Sequence, residues 1–364
     1  MIASARRAGH HEVWARDSMI ALLGGALVED AAIRDALSAS VALLKTRRAP
    51  AGAIPNNVNP DSGIANFRAY ADAGLWWIIG SRILHADQAC IDDVLAWYAC
   101  QDVDQSGLLS MQESADWQDR FCTRGKGLYL NCLYKLVLDL CGRHAEAARL
   151  ADRMNEYFWY RGDGDMLRHV RHTFSTESQE AQDSLGRRRW LPIKRKLADE
   201  PHYLPWLGFR AVGEWFDSLG NLLAIVSGVA DAGATATILD FIDRHHLADR
   251  PMKALHPAIR PGDPDWRDYY GMLNLPEHYH NGGIWPFIGG FYVAALVMAD
   301  RDRDAEAALG RLAALNNAGE FSEWHHGATG EPMGVRDQAW SAGMYIYAYE
   351  CVSRGQLPWL TGHA

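Results

Sequence analysis

The 364-residue chain lacks most of the marks of an exported or membrane protein. It has no N-x-S/T sequon, no N-terminal signal-peptide pattern, and no run near the roughly 18 apolar residues that cross a bilayer. Cysteine is sparse: Cys90, Cys100, Cys122, Cys132, Cys141 and Cys351 include no CxxC pair and no Cys/His spacing of a zinc site. They read as small core residues in a reducing compartment, so the cytoplasm is the expected location. Positive charge is also in deficit, with 36 Lys and Arg against 45 Asp and Glu. A broad phosphate-neutralising surface is therefore not expected, despite the run Arg187-Arg-Arg-Trp-Leu-Pro-Ile-Lys-Arg-Lys196, and nucleic acid is a poor candidate partner. Strand–helix alternation is missing too, which argues against a parallel sheet.

What the chain has in quantity is aromatics beside acids. Fourteen Trp and fourteen Tyr, many next to Asp, Glu, His or Gly, suit a site that lays flat faces against sugar rings or bases. The densest stretch is Glu113-Ser-Ala-Asp-Trp-Gln-Asp-Arg120, followed by Phe-Cys-Thr-Arg-Gly-Lys-Gly127 and a long apolar helix. A carboxyl beside an indole is raised in pKa by desolvation, which yields a general acid at neutral pH. A solvated acidic loop capping a helix would read the same way.

Helical spacing predicts eleven segments: 18–26 with Asp17 or Ser18 as cap, 30–45, 72–84, 91–100, 128–141, 145–157, 212–229, 234–245, 285–298, 302–315 and 337–352. Most are paired as hairpins. Residues 48–63 form a long loop rich in turn formers, and 160–209 reads as an irregular insertion with short strands near Thr173 and Trp190. One ring of helix hairpins spanning 1–364 as a single domain accounts for this better than two domains.

The long loops carry motifs in a shared order. Asp72-Ala-Gly-Leu-Trp-Trp77, Phe216-Asp-Ser-Leu-Gly-Asn-Leu-Leu-Ala-Ile225, Pro251-Met-Lys-Ala-Leu-His-Pro-Ala-Ile259 and Tyr279-His-Asn-Gly-Gly-Ile-Trp-Pro286 look invertase-like, and Trp14-Ala-Arg-Asp17 matches a W-x-R-D shared more widely before an inner helix. Together they resemble the (α/α)6-barrel, or six-hairpin, glycoside hydrolases over residues 10–350. The similar families are the alkaline/neutral invertases, the amylo-α-1,6-glucosidase domain of glycogen debranching enzymes, and the mannosylglycerate hydrolase group. Around the acid the chain departs from invertases: Asp116-Trp-Gln-Asp-Arg120 with Arg124-Gly-Lys126 is closer to the W-M-D and R-x-G-K of debranching glucosidases. Glu323-Trp-His-His-Gly327 and Gln338-Ala-Trp340 also resemble the debranching and mannosylglycerate side.

The resemblance implies an all-α barrel, an inverting exo-acting glycosidase for a small α-linked oligosaccharide or glucoside, and no cofactor. Alignment makes Asp119 the general acid, with Asp116 as its rival, and Glu323 the general base, with Glu320 and Glu331 as surface carboxylates. Substrate binding is expected from Trp14, Arg16, Asp17, Asp72, Trp76, Asp116, Trp117, Arg124, Lys126, His280, Asn281, Trp285, Gln338 and Trp340. Trp117 and Trp285 are the favoured ring-stacking faces, and one of Trp76 and Trp77 is expected to be buried. His245-His246 and His325-His326 lack ligand spacing with a carboxylate, so no metal is expected. The motifs start so near residue 1 that the first outer helix of twelve is expected to be absent. Sucrose hydrolysis, sugar isomerisation and carbohydrate binding without turnover are the alternatives, and a homo-oligomer is compatible with the sequence.

Overall fold

The computed structural model describes residues 3–4, 11–85, 88–159, 180–182, 184–190, 201–208 and 211–360. Eleven α-helices stand among them: α1 (Ala15–Gly25), α2 (Ala31–Thr46), α3 (Ala73–Ile83), α4 (Gln88–Ala99), α5 (Leu128–Leu140), α6 (His144–Phe158), α7 (Ser218–Val226), α8 (Ala232–Arg244), α9 (Pro286–Met298), α10 (Asp302–Gly319) and α11 (Ala339–Arg354). The odd-numbered helices touch in turn, and α11 closes on α1 to complete an inner ring of six. The even-numbered ones lie outside.

Side-chain pattern explains this division. Every residue of α1 and all but the last of α9 are buried, as a helix covered on all sides requires. In contrast α6 buries only Ala147, Leu150, Met154 and Phe158, one stripe at helical spacing. The closing pair approaches so closely that a Cβ on Gly24 would lie 1.9 Å from the Gly343 carbonyl oxygen, and one on Gly343 would lie 2.5 Å from Ala21 Cα. Glycine is needed there for contact rather than for conformation.

Eleven short strands decorate the ring: β1 (Val13–Trp14), β2 (Asn57–Val58), β3 (Ala65–Asn66), β4 (Lys126–Gly127), β5 (Glu180–Gln182), β6 (Arg188–Trp190), β7 (Trp206–Leu207), β8 (Phe216–Asp217), β9 (Leu255–His256), β10 (Trp324–His325) and β11 (Pro332–Met333). The antiparallel pairings are β1–β2–β3, β4–β7, β5–β6, β8–β9 and β10–β11. Strands β1, β4 and β8 each run directly into an inner helix. The first turn of α1, α5 and α7 is thereby held at one end of the ring, where the functional residues gather.

Several expected boundaries move. Trp14, in extended conformation, occupies the cap position of α1, so Asp17 and Ser18 fall inside the helix, because pairing of β1 with β2 fixes the chain up to residue 14. The helix expected from Val212 begins at Ser218, since Val212 bridges to Leu207 and 216–217 form β8. Asp30 does cap α2, accepting from the Ala32 and Ile33 amides at 2.8 and 3.2 Å. Among the described residues no outer helix stands between α11 and α1. The strand expected near Thr173 and most of the basic run lie outside the described residues, while Trp190 ends β6. No described helix is long and apolar enough to cross a membrane.

Candidate active site

Between β4 and the end of α4 the chain makes an excursion over the ring mouth. Met111 and Gly125 exchange backbone hydrogen bonds of 2.8 and 2.9 Å, and the Ser114 amide donates to the Thr123 carbonyl at 3.0 Å. The loop so closed carries Asp116, Trp117 and Asp119. Asp119 is half-buried on the wall of a cavity of about 700 Å³, with Trp14, Asn56, Phe67, Arg68, Tyr70, Arg120 and Tyr269 around it. Desolvation raises its pKa against the attraction of Arg16 and Arg120. Asp116 lies deeper, 2% exposed, with one oxygen accepting from the Gln118 amide (2.9 Å) and the Thr123 hydroxyl (3.2 Å). Burial, then repulsion from Asp72, pushes it up to about 7.

Arg16 ties this loop to three inner helices. Its Nε donates to Asp72 Oδ2 at 2.9 Å and its Nη2 to Oδ1 at 3.4 Å, while Nη2 also reaches the Asp116 carbonyl at 3.5 Å. Tyr129 donates to Asp72 Oδ2 at 2.7 Å, and the Trp76 indole donates to Tyr129 at 2.7 Å. Burial alone would lower the Arg16 pKa, but Asp72, Tyr129, Asp17 and Asp119 outweigh it and hold the guanidinium charged. Asp72 is fully buried in this network, so it orients Arg16 and presents no oxygen to the cavity.

Glu323 immediately precedes β10 and is 8% exposed, and it is not among the residues that line the cavity beside Asp119. The Tyr279 hydroxyl donates to its Oε1 at 3.4 Å, and the Val335 amide to its Oε2 at 3.3 Å. Burial raises the Tyr279 pKa well above the ordinary value, and Glu323, Asp119 and Asp17 all add repulsion. The phenol thus stands within the fields of the expected acid, base and sugar-binding carboxylates.

The structure corrects the aromatic and amide expectations. Trp76 and Trp77 are both core residues, with the Trp77 indole donating to the Val41 carbonyl at 3.0 Å. Trp117 and Trp285 pack edge-to-face with centroids 5.5 Å apart, Phe287 and His280 lie against both, and Trp340 stacks on Phe287. All three tryptophans are buried, so they form a floor whose faces are already covered rather than open sugar platforms. His280 is buried in that floor, its pKa driven well down by desolvation and then by Arg16 and Arg120, so it is neutral. Asn281 clamps backbone instead of lining the cavity, accepting from the Ile259 amide and donating to the Ile259 and Asn274 carbonyls. Gln338 occupies the cap position of α11, buried and without a side-chain cap hydrogen bond. Arg124 pairs with Glu113 at 2.5 Å and covers Trp206, and Lys126 turns away toward Asp104. Trp14 does line the cavity, and Asp17 is buried in the first turn of α1.

Several residues in or near the site were missed by sequence reasoning, among them Asn56, Arg68, Tyr70 and Arg120 on the cavity wall. Phe67 and Tyr269 are the most exposed of the four aromatics on the cavity wall, and nothing in their spacing separates them from loop residues. Tyr279 begins the motif that also holds His280 and Asn281, and sequence alone favours those two as sugar ligands. Asp217, also within a motif, occupies the cap position of α7 while buried, and burial with repulsion from Asp116 pushes it up to about 7. Between about pH 4 and 7 the folded chain keeps protons on Asp116 and Asp217 that the unfolded chain has released, so stability falls as pH climbs through that window. Asp217→Asn should therefore stabilise at pH 8, by on the order of 2–4 kcal/mol, and change little at pH 4. Melting curves at both pH values check this; a loss at pH 8 would show that the ionised carboxylate makes a net favourable contact.

Among known proteins, the alkaline and neutral invertase family matches residues 207–354, less than half of the chain. The chloroplastic alkaline/neutral invertase E of Arabidopsis thaliana is 26% identical over 346 residues, 80% of this chain and 54% of that protein. The chain spans about half, or less, of the length of the invertases it matches. A mannosylglycerate hydrolase of Thermus thermophilus, solved with Tris and D-glycerate, overlays with a TM-score of 0.59 at 13% identity over 96% of this chain and 95% of that one. A bacterial glucoamylase solved with acarbose overlays with a TM-score of 0.61 at 14% identity over 96% and 50%. The fold is the (α/α)6 barrel that the motifs implied, and the resemblance to its glycosidases holds in sequence and structure.

Proposed function

We propose that residues 1–364 act as one cytoplasmic barrel that hydrolyses a small α-linked oligosaccharide or glucoside from its end, with inversion. The observation that carries this reading is Tyr279, whose hydroxyl donates to Glu323 at 3.4 Å and whose raised pKa also reflects Asp119, a carboxylate from the loop of a different helix hairpin. Asp119, half-buried and raised in pKa, gives its proton to the leaving oxygen as the anomeric C–O bond breaks. Glu323 takes a proton from water as the new C–O bond forms on the opposite face. The reaction is balanced by that water alone and calls on no cofactor. Arg16 and Asp17 would hydrogen-bond sugar hydroxyls, and Phe67 and Tyr269 offer the faces that Trp117 and Trp285 keep buried.

Sucrose hydrolysis is a second reading, favoured by the invertase match over residues 207–354. Incubation with sucrose, trehalose, isomaltose, maltose and glucosylglycerate, followed by proton NMR of the first-formed sugar, tests both. The expected result is release from one of the α-linked glucosides with the opposite anomer appearing first, as a carboxyl gap of roughly 6.5–9.5 Å would give. Initial release of the retained anomer, or a trapped glycosyl-enzyme, would refute the mechanism; isomerisation or binding without release would refute the class.

A further inference from the structure

The segment Asp102-Val-Asp-Gln-Ser-Gly-Leu-Leu-Ser-Met-Gln-Glu113 has oxygen-bearing side chains at positions 1, 3, 5, 9 and 12 and glycine at position 6. That is the pattern of a twelve-residue calcium loop, with Ser106 in place of Asp or Asn at the fifth position. The backbone turns accordingly. Gln105 and Gly107 take positive φ of 57° and 83°, the Gly107 amide donates to Asp102 Oδ2 at 2.9 Å, and the Ser106 amide donates to Asp104 Oδ1 at 3.3 Å.

A cation from the chain itself lies among these oxygens. Lys126 Nζ is 2.8 Å from each Asp104 oxygen and 3.1 Å from Ser110 Oγ, so it joins positions 3 and 9. The Lys126 side chain is only 4% exposed. Glu113, the twelfth residue, turns away to Arg124, Arg267 and Tyr269. The hydrogen bond and charge of Lys126 lower the Asp104 pKa despite desolvation, so the carboxylate stays ionised.

The position of the clamp gives it a consequence. Met111 and Gly125 are the backbone-paired stem of the excursion that carries Asp116 and Asp119, and Ser110 and Lys126 are the next residues outward on each side. We infer that Lys126 is a positioning residue: its ammonium does the work of the ion in a calcium loop, locking the base of the acid-bearing excursion without any metal.

The experiment compares wild type, Lys126→Ala and Lys126→Ala/Asp104→Ala by thermal unfolding and titration calorimetry, with calcium chloride or magnesium chloride as probe. The wild type should neither bind calcium nor change its melting point. Lys126→Ala should melt lower and recover in millimolar calcium, with magnesium weaker because it demands a tighter octahedral shell. The double variant should melt low and show no recovery. These readouts do not depend on the proposed glycosidase reading. If that reading also holds, Lys126→Ala should lose at least tenfold in kcat, with most of it restored by calcium. A wild type that binds calcium, a Lys126→Ala variant as stable as wild type, or one indifferent to calcium would each overturn the inference.

Discussion

Asp119→Asn and Glu323→Gln are each expected to remove at least roughly 10²-fold of hydrolysis while the melting curve stays near wild type, since a positioned acid or base contributes about 10²–10⁴. Both changes keep side-chain shape. Asp119 is half-buried at the cavity wall, so its amide needs no rearrangement, and a protonated acid replaced by an amide loses only the transferable proton. Asp116→Asn should be milder, because that carboxyl serves the Gln118 amide and Thr123 hydroxyl inside the loop, and its pKa near 7 leaves it partly neutral already. The pH profile separates the two roles. Activity that depends on a protonated Asp119 falls as pH rises through its raised pKa, and in Asp119→Asn the residual rate should lose this alkaline limb. Near-normal turnover in Asp119→Asn, with a severe loss in Asp116→Asn, would move the acid to Asp116.

The fold was legible because its two signals are local. Core stripes such as Leu133, Leu136 and Val137 recur at helical spacing, and each inner helix starts beside a loop motif, so the hairpin order could be read directly. The errors lie where tertiary contact decides. Trp117, Trp285 and Trp340 look alike to an exposed stacking platform in sequence, and only the meeting of three hairpins shows that they cover one another. His280 and Asn281 adjoin Tyr279, but the positive φ of Tyr279, 44°, and the Asn281 clamp on Ile259 and Asn274 determine which of the three faces Glu323. The closeness of its motif to the acid makes Lys126 look like a substrate ligand in sequence; its partners, Asp104 and Ser110, sit 22 and 16 residues upstream. The boundary expected at Val212 slipped because the two-residue strand β8 overrides helical propensity for a turn, and that at Ser18 because β1 ends at Trp14 and lets the helix begin three residues sooner.

Asp72→Asn should be the most destabilising of the isosteric changes at the ring mouth. The Arg16 guanidinium and the Asp72 carboxylate are both buried, and removing one partner of such a pair leaves the other charge uncompensated, which costs on the order of 3–5 kcal/mol. Arginine cannot escape by losing its proton, unlike a buried lysine. Asparagine keeps an acceptor for Tyr129 and for one Arg16 nitrogen, so the loss reports the charge rather than the hydrogen bonds. Asp17 and Asp119 would remain as counter-charges, and with the repulsion from Asp72 gone a lone Arg16 should draw Asp116 into its ionised form, lowering the Asp116 pKa from about 7. Urea unfolding at pH 5 and pH 8 measures both effects: the deficit should be larger at pH 5, where Asp116 is protonated and cannot substitute, and smaller at pH 8. Converting the pair together, Arg16→Met with Asp72→Leu, should recover most of the stability while abolishing activity, since a buried ion pair contributes little net stability but this one aims Arg16 at the acid loop. A single variant as stable as wild type at pH 5 would mean that the guanidinium is solvated from the cavity and that the pair is not the strut described.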